Sequence, residues 1–125
     1  MAKNILIIDD DRLVVKSLAK LITSQGYNVS YAQSGKQAFE LINQHDFDLI
    51  ISDIRMPEID GFETIRNIKT IQEKKNKAPI PVIFITGFSD SLGPDEAKKL
   101  NMVDFIYKPF EKDKFLESIR SAVRS

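Results

Sequence analysis

Asp9 and Asp10, Asp53, Thr86 and Lys108 each stand at the end of a short apolar run, and their side chains are of the kinds that handle hard cations and phosphate. Carboxylates pressed together repel one another. A divalent cation relieves that repulsion, and Mg²⁺ favours oxygen ligands in a partly hydrated octahedral shell. A Mg²⁺ site at Asp10 and Asp53 is therefore expected if the runs converge. Lys108 would add a point charge able to pair with a carboxylate at rest and with phosphoryl oxygens later, and Thr86 would offer a hydroxyl donor to the same group. An Asp after a strand is often only a helix cap. Asp11, directly before the first helical stretch, is read that way and left out of the set. His45, the single histidine, has no other ligand-type residue patterned around it and is read as a surface residue.

The elements that must position these groups alternate along the chain. Apolar runs at Asn4 to Ile8, Tyr27 to Ala32, Asp48 to Ser52, Val82 to Thr86 and Val103 to Tyr107 read as strands. Runs such as Ile5-Leu6-Ile7-Ile8 and Val82-Ile83-Phe84-Ile85 are apolar throughout, as a parallel strand covered on both faces requires. Between them, Leu13, Val14, Leu18, Leu21 and Ile22 recur at helical spacing and predict a helix from Arg12 to Gln25, with Gly26 as a left-handed stop. Ser34 and Gln37 form a capping-box pattern ahead of Ala38, Phe39, Leu41 and Ile42. Phe62, Ile65, Ile68 and Ile71 predict a third helix over Gly61 to Gln72, closed by a solvated loop at Glu73 to Lys77. Gly93-Pro94 delays a fourth helix to about Pro94, ending at Asn101, because proline suits only a first turn. Phe115, Leu116, Ile119 and Val123 mark a fifth over Lys112 to Val123.

Five strand–helix units in strict alternation predict an α/β, doubly wound, five-stranded parallel sheet of order 2-1-3-4-5, with a flavodoxin-like arrangement of five helices. In such sheets the ligand lies beyond the carboxyl ends of the strands, where the five polar residues stand. Residues 1–125 are expected to form one domain, since the length is ordinary for one and no linker, repeat or low-complexity segment interrupts it. At 42% hydrophobic and 29% charged the composition is too apolar for disorder and too charged for a membrane protein. Lys plus Arg and Asp plus Glu each count 18, so no global basic field favours direct nucleic-acid or membrane binding. Cysteine is absent, which rules out disulfides and thiolate metal sites and fits a cytoplasmic location.

Four motifs, in order and spacing, carry a resemblance: Ile7-Ile8-Asp9-Asp10-Asp11, Ile51-Ser52-Asp53-Ile54-Arg55-Met56-Pro57 with Asp60-Gly61, Ile85-Thr86-Gly87, and Phe105-Ile106-Tyr107-Lys108-Pro109-Phe110. The chain resembles the receiver domain of two-component response regulators over essentially its full length. The resemblance implies that Asp53 is the phosphoacceptor, that Asp10 binds Mg²⁺ directly and Asp9 through water, and that the Arg55 carbonyl completes the protein ligands. It makes Thr86 and Phe105 the switch pair, Lys108 the phosphoryl-binding cation, and the Lys108–Pro109 bond cis. The partners it implies are a histidine kinase or histidine phosphotransfer protein and a downstream effector or output domain. The output surface would be the face of the fourth helix, fifth strand and fifth helix, with phosphorylation-dependent dimerisation open.

The sequence departs from the pattern at three places. Phe105 lacks the hydroxyl of the tyrosine often found there, so a switch would work by packing alone. Gly93-Pro94 alters the fourth helix, and Arg55 and Phe88 are expected to set the lifetime of the phosphorylated form. Two rival readings stand beside this one. Asp9-x-Asp11 with Thr86 and Lys108 also suits a haloacid-dehalogenase-like phosphohydrolase, with Asp9 as nucleophile and Asp11 as general acid. A degenerate receiver acting only as an interaction module is the other.

Overall fold

The computed structural model describes residues 2–87, 100 and 102–123. Along the chain run β1 (Asn4–Ile8), α1 (Arg12–Thr23), β2 (Asn28–Ala32), α2 (Gly35–Gln44), β3 (Leu49–Asp53), α3 (Gly61–Lys74), β4 (Val82–Thr86), β5 (Met102–Tyr107) and α4 (Lys112–Val123). The strands form one parallel sheet in the order β2-β1-β3-β4-β5. That is the expected fold class and order, with four of the five expected helices among the described residues. The helix expected from Pro94 to Asn101, with Phe88 and Gly93, lies outside them.

Alternation of side chains along each strand explains why the apolar runs are continuous. Leu6, Ile8, Ile50, Val82 and Phe84 pack on one face with Ala38 and Ile42 of α2 and Phe62, Ile65 and Ile68 of α3. Ile5, Ile7, Leu49, Ile51, Ile83 and Ile85 pack on the other with Val15, Leu18 and Ile22 of α1 and Phe115 and Ile119 of α4. Both faces of the central strands are therefore dry. A polar residue is tolerated only where each strand leaves the sheet, and this concentrates the functional side chains at the ends.

Local signals set most boundaries. Asp11 caps α1 by accepting the amides of Leu13 and Val14, as expected, and Gly26 follows the helix with φ of 91°. Ser34 accepts the Gln37 amide, while the Gln37 side chain accepts from the Gln33 amide one residue before the cap. Two helix ends depart from the sequence reading. α1 closes at Thr23, two residues early, where the amides of Ser24, Gln25 and Gly26 turn back onto Lys20, Ile22 and Thr23. α3 runs on through Glu73 and Lys74, both good helix formers, and the chain turns only at Asn76 with φ of 56°.

Candidate functional site

The register of the sheet brings the acidic residues level. Ile8 of β1 aligns with Ser52 of β3, so Asp9 and Asp53 emerge side by side, and Asp53 in turn aligns with Ile85 of β4. Thr86 aligns with Tyr107, and its carbonyl accepts the Lys108 amide at 2.7 Å, which brings that lysine over the end of β4. Lys108 Nζ lies 3.5 Å from Asp9 Oδ2 and 3.9 Å from Asp53 Oδ2. Carboxylate oxygens of Asp9, Asp10 and Asp53 all lie within 4.8 Å of one another. Asp9 is buried, Asp53 half-buried and Asp10 exposed, so the cluster opens to solvent on the Asp10 side.

Backbone amides fix the two inner carboxylates. The Asp11 amide donates to Asp9 Oδ1 at 2.9 Å, and the Ile54 amide donates to Asp53 Oδ1 at 2.7 Å. Each of the two then has its second oxygen towards Lys108. Burial nonetheless dominates their electrostatics. Desolvation raises the Asp9 carboxyl above the usual range against the pull of the Asp11 amide and Lys108. Asp53 is pushed up to about 6, first by burial and then by the charge of Asp9, with Lys108 and the Ile54 amide opposing. One lysine shared between two buried carboxylates does not offset their desolvation.

The donor set fits a small hard cation. Two oxygens bound to one Mg²⁺ at about 2.1 Å each are separated by at most about 4.2 Å. The 4.8 Å spread therefore suits two direct carboxylates with the third acting through water, or a slight contraction.

Of the other residues read from the sequence, Thr86 is buried at the end of β4 and Arg55 is exposed in the loop after β3. The Lys108–Pro109 peptide bond is cis. Phe105 is half-buried, its ring 6.4 Å from Phe84 and 5.1 Å from Tyr107. Asp11 is spent on capping, and His45 is exposed. Gly61 matters more than its place in a motif suggested. Its amide donates to the Ile54 carbonyl at 2.6 Å, and a Cβ there would lie 1.9 Å from the Asp53 carbonyl oxygen. The start of α3 thus clamps the backbone behind Asp53, with Asp60 capping the helix through the Glu63 amide. An Asp-Gly pair directly ahead of a helical stripe was the available signal. The amides of Asp11 and Ile54 left none, because every residue but proline carries one.

A family model described as the response regulator receiver domain matches residues 5–120. The chain belongs to this family. Receiver domains are signalling modules of two-component systems, not free-standing catalysts, and the phosphohydrolase alternative built on Asp9 and Asp11 falls with this assignment. The polar-differentiation response regulator DivK of Brucella ovis is 32% identical over 97% of this receiver domain and 96% of its own length. The transcriptional regulatory protein ZraR of Escherichia coli K12 is 37% identical over 96% of the chain, which covers 26% of ZraR. The N-terminal domain of a response regulator/sensory box/GGDEF three-domain protein from Carboxydothermus hydrogenoformans superposes with a TM-score of 0.85 at 26% identity, covering 98% of this chain and 94% of that one. The receiver domain spans only about a quarter to somewhat over half the length of several curated relatives it matches. Among the described residues no helix is long and apolar enough to cross a membrane.

Proposed function

We propose that residues 1–125 act as one receiver unit in which Asp53 accepts a phosphoryl group from a phosphohistidine of a histidine kinase or histidine phosphotransfer protein. The observation that carries the reading is the position of Lys108 Nζ, within 4.0 Å of both Asp9 and Asp53 on the open side of a three-carboxylate cluster. Asp10 and Asp53, with Asp9 through water and the Arg55 carbonyl, hold Mg²⁺. When bound, the ion supplies neutralisation of charge on the phosphoryl oxygens.

The chain's own groups do the rest. The Ile54 amide holds Asp53 Oδ1, leaving Oδ2 as the nucleophile. An Oδ2–P bond forms as the N–P bond to the donor imidazole breaks, and the departing imidazole takes a proton from solvent. Lys108 Nζ moves its attraction from the carboxylates to the phosphoryl oxygens, and the Thr86 hydroxyl donates to one of them. Drawing Thr86 inward frees space for the Phe105 ring, which repacks the face carrying β5 and α4 that a downstream effector or output domain reads. Side chains at Arg55 and Phe88 control access of hydrolytic water.

Phosphoryl transfer from a panel of histidine kinases to the wild type and to Asp53→Asn tests the assignment. The expected result is transfer to the wild type and none to the variant. Transfer persisting in Asp53→Asn places the acceptor elsewhere.

A further inference from the structure

Away from the acidic cluster, α1 and the outer edge of the sheet leave a surface that the phosphoacceptor chemistry does not use. β2 pairs only with β1, so its other side is a free edge. Between that edge and α1 runs a groove of about 490 Å³ walled by Leu13, Ala19 and Tyr31 and flanked by Arg12 and Lys16. Leu13 is 76% exposed and Tyr31 57%, the two most exposed large hydrophobics among the described residues. Burying such side chains is worth about 1.5–3 kcal/mol each, so a solvated Leu and Tyr flanking one groove mark a place where something else is meant to sit.

The charge around the groove specifies what. α1 has no acidic residue, and its cations Arg12, Lys16 and Lys20 recur every fourth residue, in a stripe about 6 Å per step. None of the three pairs with a carboxylate among the described residues. The nearest acid in sequence, Asp11, is committed to the amides of Leu13 and Val14. No Asp or Glu lines the groove. In a chain whose charges balance overall, this is a local excess of one sign beside an apolar slot.

We propose that the α1–β2 groove docks an acidic amphipathic helix of a partner protein, seating one or two aliphatic side chains between Leu13 and Tyr31 while carboxylates one helical turn apart meet Arg12, Lys16 and Lys20. The volume suits two or three side chains and not a folded domain. The repeat of the cations matches the i, i+4 repeat of a helix laid alongside α1. The surface stands apart from Asp53, so it recruits a partner whether or not the phosphoacceptor reading holds.

The test uses the isotopically labelled full chain and two helical peptides, one with leucines flanked by glutamates at one-turn intervals and one with lysines in place of the glutamates. The acidic peptide is expected to shift amides of residues 12–20 and 28–33. Lys16→Glu/Lys20→Glu should weaken it more than tenfold, and Tyr31→Ala by several-fold. The lysine peptide should not bind. Equal binding of both peptides, shifts centred elsewhere, or no binding overturns the proposal. A concentration-dependent dimer of the wild type that Tyr31→Ala abolishes overturns it in favour of a second copy as occupant. Spectra unchanged away from the groove establish that the variants fold. Phosphorylation of Lys16→Glu/Lys20→Glu by acetyl phosphate at the wild-type rate separates this surface from the acidic cluster, and loss of that reaction contradicts the separation.

Discussion

At the amino-terminal end of the sheet Lys77 Nζ sits 2.5 Å from Asp46 Oδ1, and at the carboxyl-terminal end Lys108 Nζ sits 3.5 Å from Asp9 and 3.9 Å from Asp53. The residue types are the same and the electrostatic outcomes are opposite. Hydrogen bonding from Lys77 and its charge hold the exposed Asp46 carboxyl below the usual range. Burial lifts the Asp9 and Asp53 carboxyls above it although a lysine is present. Solvent makes the difference: at the first pole water already stabilises both ions, so the pair adds little. At the second the surroundings have taken water away without replacing it fully, leaving a cluster that gains by receiving a cation or a phosphoryl group. The wet pole is a surface detail and the dry pole is a site.

The backbone shows the same contrast, and there the largest effect is expected. Gly61→Ala forces a Cβ against the Asp53 carbonyl and should cost about 3 kcal/mol in denaturant unfolding. At the other pole Gly26→Ala meets no atom within 4 Å and should cost only the left-handed backbone strain, about 1 kcal/mol. Equal costs would mean that the close approach behind Asp53 is not built into the fold.

Next in size is the lysine contrast. Lys108→Ala should slow phosphorylation by acetyl phosphate about 100-fold in rapid-quench assays, the loss typical of one preorganised charge donor. Lys77→Ala should leave the rate within twofold. A Lys108→Ala rate near the wild type would remove that residue from the chemistry.

The ionisation contrast is smaller and has a definite sign. A carboxyl whose folded pKa is about 6 against 3.8 unfolded disfavours the folded state once pH rises through that interval. Asp53→Asn removes the penalty and should raise the melting temperature at pH 7.5 by about 4 °C, corresponding to about 1 kcal/mol after solvent screening. The gain should shrink as pH falls from 6 and vanish below about 4, where both states are protonated. Asp46 runs the other way. Its depressed carboxyl contributes stability above pH 3.8 that is lost as pH falls through its folded value. Lys77→Ala should therefore lower the melting temperature slightly, by about 1 °C or less at neutral pH, with the gap closing in acid. Scanning calorimetry across pH checks both, and a common sign would break the comparison.

How much of this was legible beforehand follows from the same physics. β1 and β4 were readable to the residue because their apolar runs stop on a polar side chain. β3 begins and ends one residue later than its apolar pattern suggests, since Asp53 still keeps strand pairing with Ile85. Asp9, Asp53 and Lys108 were recognisable as a set because topology, once read from the alternation, sends every strand end to one edge. What could not be read is how the set is held. The amides of Asp11 and Ile54, the clamp at Gly61 and the degree of burial that moves Asp53 to about 6 depend on backbone placement at a scale that residue types do not encode. The excess of cations on α1 was visible in the letters, but its meaning emerged only when Tyr31 was found across a groove from it.

The phosphoacceptor assignment is tested most directly by incubating the protein with acetyl phosphate and Mg²⁺, weighing the intact chain and mapping the modified residue. One phosphoryl group per chain, on Asp53 and dependent on Mg²⁺, is the predicted result. A phosphoryl group found on Asp9 or Asp10, or a chain that stays at its original mass, would contradict it.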